Sequence, residues 1–147
     1  MMSPIVVTPE HPLPCEASGL AERLRAAGIQ PTLPRQKIAV LLLSAQQHLT
    51  AEQILARLQQ AGERVSKATV YNTLNLFAAR GIIRQLAVDG ERTWFDSNTQ
   101  PHFHFQDVET GALMDVSPEA VRFAELPPAP EGMEYAGIEL FIRLRRV

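Results

Sequence analysis

The stretch QPHFHF, residues 100–105, sets two histidines one residue apart among aromatic side chains. In an extended segment, alternation puts His102 and His104 on one face and Phe103 and Phe105 on the other. Two imidazoles so placed can share a metal ion, meet a haem iron, or stand as polar residues on a strand. The H-x-H spacing alone does not choose among them. Two histidines with a carboxylate also make the facial triad of non-haem iron oxygenases. Such sites need a scaffold that holds a substrate pocket, whereas more than half of this chain has a helical pattern of another kind. Neither a nucleophile–base arrangement nor a glycine-rich phosphate loop occurs in the sequence. An enzyme is therefore not expected, and the elements that position the two histidines decide their chemistry.

The 147 residues suffice for one ordinary domain or two small ones, and 46% hydrophobic content supports a packed core. The net charge of −2 hides an asymmetry. Residues 16–97 carry ten Lys/Arg against seven Asp/Glu, and residues 98–147 carry four against eight. A basic front half joined to an acidic back half predicts two modules, of which one faces a polyanion. Cys15 is the single cysteine, so an intrachain disulfide and a paired-cysteine zinc knuckle are both excluded. No apolar run is long enough to span a membrane, and the N-terminus lacks the basic-then-apolar order of a secretory signal. The expectation is a cytoplasmic protein with no membrane partner.

Residues 1–15 contain four prolines and little periodicity, which predicts an extended arm. Four helices with start and stop signals follow. EASGLAERLRAAG spaces Leu20, Leu24 and Ala27 helically and stops at Gly28. TLPRQKIAVLLLSA starts at a Thr32 cap, has Pro34 in its first turn, and buries Ile38, Leu41 and Leu42. TAEQILARLQQAG opens with Thr50 and Gln53 in capping-box positions and closes at Gly62. SKATVYNTLNLFAARG is capped by Ser66 and ends at Gly81. Then the period changes. IIRQLAV and ERTWFD flank Asp89-Gly90, a two-residue hairpin signal. That order predicts a winged helix-turn-helix DNA-binding domain over residues 16–97. Beyond a short linker, HFHFQDV, GALMDV and YAGIELFIRLR predict strands, and SPEAVRFAE predicts a helix. The overall class is α+β, with residues 98–147 as a small α/β domain. About fifty residues bury little core alone, so dimerisation is expected of that domain.

On a helical wheel, Val70, Thr73, Leu74 and Phe77 share one side of the fourth helix, and Ala68, Tyr71, Asn72 and Asn75 the other. Asparagine pairs bidentately with adenine, and Tyr and Ala can touch thymine methyls, so this second face suits a major groove. Ser66, Lys67 and Thr69 in the first turn can hold phosphates, helped by the helix dipole. Arg35 at the start of the second helix, and Arg84 and Arg92 on the wing, complete the expected DNA contacts.

These segments resemble the ferric uptake regulator family of bacterial repressors from about residue 20 to the C-terminus. LRAAGIQPTLPRQKIAVLL resembles the family's first two helices, HLTAEQILARL its third, and SKATVYNTLNLFAARGII its recognition helix. The YNTL variant, the tail LPPAPEGMEYAGIELFIRLRR and the missing cysteine pairs look most like the Irr branch of iron-response regulators. The resemblance implies a dimeric, non-enzymatic repressor of iron and haem homeostasis that binds AT-rich inverted repeats. A haem-responsive or peroxide-responsive regulator of the same fold is the alternative.

It also implies a ligand set. His48 matches the family's inter-domain histidine, Asp96 stands in place of its glutamate after the wing, and Asp115 takes another acidic position. With His104 they make a two-nitrogen, two-carboxylate site for one Zn²⁺, Mn²⁺ or Fe²⁺ per subunit. By the same alignment, the family's second C-terminal site would find Phe103, Arg122 and Ile138 as partners of His102, leaving His102 spare. The family's cysteine zinc site falls at Asp107 and Thr110 and is lost. His102 or His104 remains an alternative haem ligand, whereas Cys15, in a Pro-Cys order reversed from the haem motif, does not.

Overall fold

The computed structural model describes residues 17–147 apart from Asp89 and Glu91, and these residues form two compact units, 17–99 and 100–147. The arm, with His11 and Cys15, and the Asp89 position of the hairpin turn lie outside the described residues.

The first unit runs α1 (Ala17–Ala26), α2 (Leu33–Leu43), β1 (His48–Thr50), α3 (Ala51–Gln60), α4 (Lys67–Ala79), β2 (Arg84–Ala87) and β3 (Thr93–Asp96). Its core holds Leu20 and Leu24 of α1, Ile38 and Leu42 of α2, Ile54 and Leu58 of α3, and Val70, Leu74 and Phe77 of α4, while Leu41, expected inside, is only partly buried. Gly28 closes α1 at φ 76°, where a side chain would be strained, and a Cβ there would meet Arg80 Nη1 at 3.0 Å. The Thr50 capping box forms in full, with Gln53 N–H donating to Thr50 Oγ1 at 3.2 Å and Thr50 N–H to Gln53 Oε1 at 3.0 Å. Thr32 sits at the N-cap of α2 without a side-chain cap bond. Its carbonyl accepts from Gln36 N–H, so proline in the first turn is what favours the helix start.

The wing is more than a hairpin. His48–Thr50 adds a third strand, in the order β1-β3-β2, all antiparallel. This strand was illegible in the sequence because it is three residues long and runs straight into the α3 cap. Its register pairs His48 with Asp96, and the Gln47–Ser97 bonds close the ladder just beyond them.

The second unit holds β4 (Phe103–Asp107), β5 (Leu113–Val116), a short 3₁₀ turn η1 (Pro118–Ala120) and β6 (Phe141–Leu144). The sheet order is β5-β4-β6, with β5 antiparallel and β6 parallel to the central strand. The helix expected over SPEAVRFAE is not there: the chain makes one 3₁₀ turn capped by Ser117 and then extends at Val121. Its side chains after the cap are exposed or half-buried, so no apolar stripe holds further turns in place. The last expected strand is also shorter, four residues of the YAGIELFIRLR run.

Candidate metal centre and nucleic-acid interface

In the first unit, antiparallel register brings His48 and Asp96 together although they lie 48 residues apart in sequence. His48 Nε2 stands 3.2 Å from Asp96 Oδ2. The other carboxylate oxygen is occupied, because Asn98 N–H donates to Asp96 Oδ1 at 2.8 Å. That bond orients the carboxylate, with Oδ2 turned to the imidazole.

In the second unit, β4 and β5 set His104 opposite Asp115. Asp115 Oδ1 is 3.6 Å from His104 Nε2 and 3.3 Å from His102 Nε2. The two rings meet edge to face with centroids 4.5 Å apart, and Phe141 of β6 stacks on His104 at 5.3 Å. Both imidazoles are buried. His102 Nδ1 donates to the Gln100 carbonyl at 2.5 Å. A carbonyl oxygen can only accept, so Nδ1 carries a proton, and Nε2 is the nitrogen directed toward Asp115. This is the outer-shell pattern of metal-binding histidines.

His102 thus lies beside the same carboxylate as His104. The resemblance left it spare, or a haem ligand, because its aligned partners are Phe103, Arg122 and Ile138. Its real neighbours come from the sheet: same-face alternation puts it beside His104, and the β5 carboxylate reaches both rings. The signal was in the sequence, since H-x-H already placed the two on one face. What was missing was the register of β5.

Within each unit, the donor separations of 3.2 and 3.3 Å suit adjacent ligands of an ion, and the 3.6 Å between His104 and Asp115 is slightly longer. Two donors each about 2.1 Å from a metal lie about 3.0–3.4 Å apart at octahedral to tetrahedral angles. Imidazole and carboxylate together suit Zn²⁺, Mn²⁺ or Fe²⁺.

The α4 face opposite the core carries the expected groove-reading residues. Lys67, Ala68, Asn72 and Asn75 are exposed, and Tyr71 is half-buried. Ser66 Oγ accepts Thr69 N–H at 3.1 Å and lies 2.8 Å from Thr69 Oγ1, so these hydroxyls are partly engaged in capping. Arg35 Nη1 donates to the Gln30 carbonyl at 2.9 Å, which holds the guanidinium at the turn before α2. Arg84 is half-buried at the start of β2, and Arg92 is exposed just before β3. One contact on this face had no local signal in the sequence. The Tyr71 hydroxyl donates to the Glu52 carboxylate, on the first turn of α3. That bond holds the Glu52 carboxyl below the ordinary glutamate range and pushes the phenol up.

The ferric uptake regulator family profile matches residues 26–142. The chain belongs to the ferric uptake regulator family. It is 40% identical over 94 residues to the ferric uptake regulation protein of Pseudomonas aeruginosa, covering 63% of this chain and 70% of that one. It is 37% identical over 92 residues to a peroxide-responsive repressor of Staphylococcus aureus, covering 63% of this chain and 62% of that protein, less than two thirds of its length. The structure of the Pseudomonas aeruginosa ferric uptake regulator with manganese superposes with a TM-score of 0.66 at 33% identity, over 86% of this chain and 97% of that one. The fold is that of this family: a helical DNA-binding domain and a small C-terminal dimerisation domain. Among the described residues, no helix is long and apolar enough to cross a membrane.

Proposed function

We propose that this chain is a metal-responsive, DNA-binding repressor of iron homeostasis, working as a homodimer on AT-rich inverted repeats. The observation that carries this reading is the pair of half-sites. His48 with Asp96 belongs to the unit that bears α4, and His102, His104 and Asp115 belong to the other. The first half offers only two donors, too few to hold a divalent ion tightly alone, and the second offers three, which leaves coordination positions open. We infer that both halves close on one ion. When bound, that ion supplies a positive charge shared by donors from both units.

The residues' own part is to hold the donors ready. Asn98 N–H and the Gln100 carbonyl fix one ligand each, and Phe141 restrains the His104 ring. Joining the units restricts where α4 of each subunit can lie. A dimer so restricted loses less orientational freedom when two recognition helices meet two half-sites. α4 then reads the major groove through Ala68, Tyr71, Asn72 and Asn75. Ser66, Lys67 and Thr69, together with Arg35, Arg84 and Arg92, hold the backbone.

The absent cysteine pairs and the YNTL variant favour the Irr-like branch over the peroxide-responsive one. A divalent ion is favoured over haem at His102 and His104. A haem iron needs an open axial approach to Nε2, and both Nε2 atoms here face the Asp115 carboxylate.

Metal-stripped protein, shown to be empty by elemental analysis, should bind an AT-rich inverted-repeat duplex at least about tenfold more weakly than protein loaded with Mn²⁺, Fe²⁺ or Zn²⁺, the size of an ordinary linkage between two sites. Equal binding by the two forms overturns the reading.

A further inference from the structure

We propose that Glu52 is a specificity-determining residue: through Tyr71 it positions the groove-reading face of α4, while its charge lowers the affinity for every duplex alike. This rests on the reading of α4 as the DNA-recognition helix and names a regulator of that same surface.

A carboxylate is an unexpected group beside a polyanion site. Glu52 is exposed on the first turn of α3, yet it accepts the hydroxyl proton of Tyr71, a residue of the α4 reading face. A phenol has one proton to give, so its oxygen is left with lone pairs only. The Lys67 ammonium lies 5.8 Å from the centre of the Tyr71 ring. The ring is thus held at its tip by a carboxylate and over its face by a cation. A tyrosine restrained in this way loses little rotamer freedom on binding, which favours a contact that depends on position. Its ring edge suits a thymine methyl.

Among the described residues that line this face, the others are cationic or neutral. Glu52 and Tyr71 line a cleft of about 530 Å³ with Thr50, Gln53, Arg92 and Phe95. Glu52 also interacts electrostatically with Lys67 and so tempers the attraction of that ammonium for phosphate. On any duplex the carboxylate costs some affinity through repulsion. On the right sequence, the base contact of a pre-positioned Tyr71 offsets that cost. On the wrong sequence nothing does. Specificity is a difference of affinities, so the common repulsion cancels and the positioned Tyr71 contact sets the ratio.

The two roles separate in two variants of the full-length protein loaded with Mn²⁺. Glu52→Gln keeps an acceptor for the Tyr71 hydroxyl and removes the charge, and Glu52→Ala removes both. The probes are a duplex enriched by the wild-type protein from a randomised pool and a scrambled duplex of the same composition, each titrated at several salt concentrations. Non-specific affinity should rise about threefold per subunit in both variants, the effect of one charge about 6 Å from a phosphate in water. The operator-to-scrambled ratio should stay near wild type in Glu52→Gln and fall about tenfold in Glu52→Ala, the range of one base contact. In a Tyr71→Phe background, Glu52→Ala should cause no further loss of ratio. Variant folding is followed by thermal unfolding. An unchanged ratio in Glu52→Ala, or an equal loss in the two variants, overturns the proposal. A wild-type protein that enriches no duplex overturns the DNA-binding reading itself, a separate result.

Discussion

Asp115 is the hinge of the metal proposal, because one of its oxygens faces both His102 and His104, at 3.3 and 3.6 Å. Asp115→Asn keeps the shape and one oxygen donor but removes a full negative charge. An ion bound by these groups lies about 2.1 Å from each donor. A unit charge and a dication at about that distance interact by about 4 kcal/mol even in the dielectric of bulk water. The amide dipole of asparagine retains part of this, leaving a loss of about 3 kcal/mol, or roughly two orders of magnitude in affinity. Competition for Mn²⁺ and Zn²⁺ against a chromophoric chelator measures that loss directly. Trp94, the single tryptophan, lies on β3 two residues from Asp96 and offers a second optical readout. Thermal unfolding adds a third. An ion present at about a hundredfold excess over the wild-type dissociation constant stabilises the wild type by about 2.7 kcal/mol, but a variant bound a hundredfold more weakly by only about 0.4 kcal/mol. A folded Asp115→Asn protein whose dissociation constants for both ions lie within about threefold of wild type would refute the assignment of Asp115 as a ligand.

Two further outcomes follow from geometry away from the metal. Thr50→Ala removes the side-chain half of the capping box at the start of α3 and should cost about 1–2 kcal/mol, measured as a lower urea midpoint at unchanged slope. Asp107 is held below the usual aspartate range, first by the backbone N–H of Glu109, and further by Thr110 N–H and Arg146. A depressed folded-state pKa contributes stability that is present above the unfolded value and lost as pH falls through the folded one. The stability advantage of wild type over Asp107→Asn should therefore be full well above the ordinary aspartate value and be lost as pH falls through the lower folded-state value, in urea unfolding followed across pH.

Much of the first unit was legible along the chain. Helical spacing selects Val70, Leu74 and Phe77 as core and leaves Ala68, Asn72 and Asn75 exposed, because a helix's buried face is set by neighbours three and four residues away. The Thr50 and Ser66 caps are local for the same reason: donor and acceptor lie within one turn. Alternation, equally local, put His102 and His104 on one face. The Ser117-Pro118 start predicted a helix that the fold does not make, since helices in proteins persist by burying a stripe and this segment buries none.

What only the tertiary structure decided is which distant residues meet. Strand register pairs His48 with Asp96 and His104 with Asp115, and it brings His102 to the same carboxylate. The packing of α3 against α4 sets Glu52 on Tyr71, 19 residues away. Register is a choice among alignments of whole strands, settled by which side chains each alignment buries, and a one-residue slip would turn every imidazole and carboxylate to the opposite face. The amino-acid sequence thus determined the kinds of donor this protein carries and the face each occupies. The partners were determined by the sheets, because pairing energy is shared over many residues and is written at no single position.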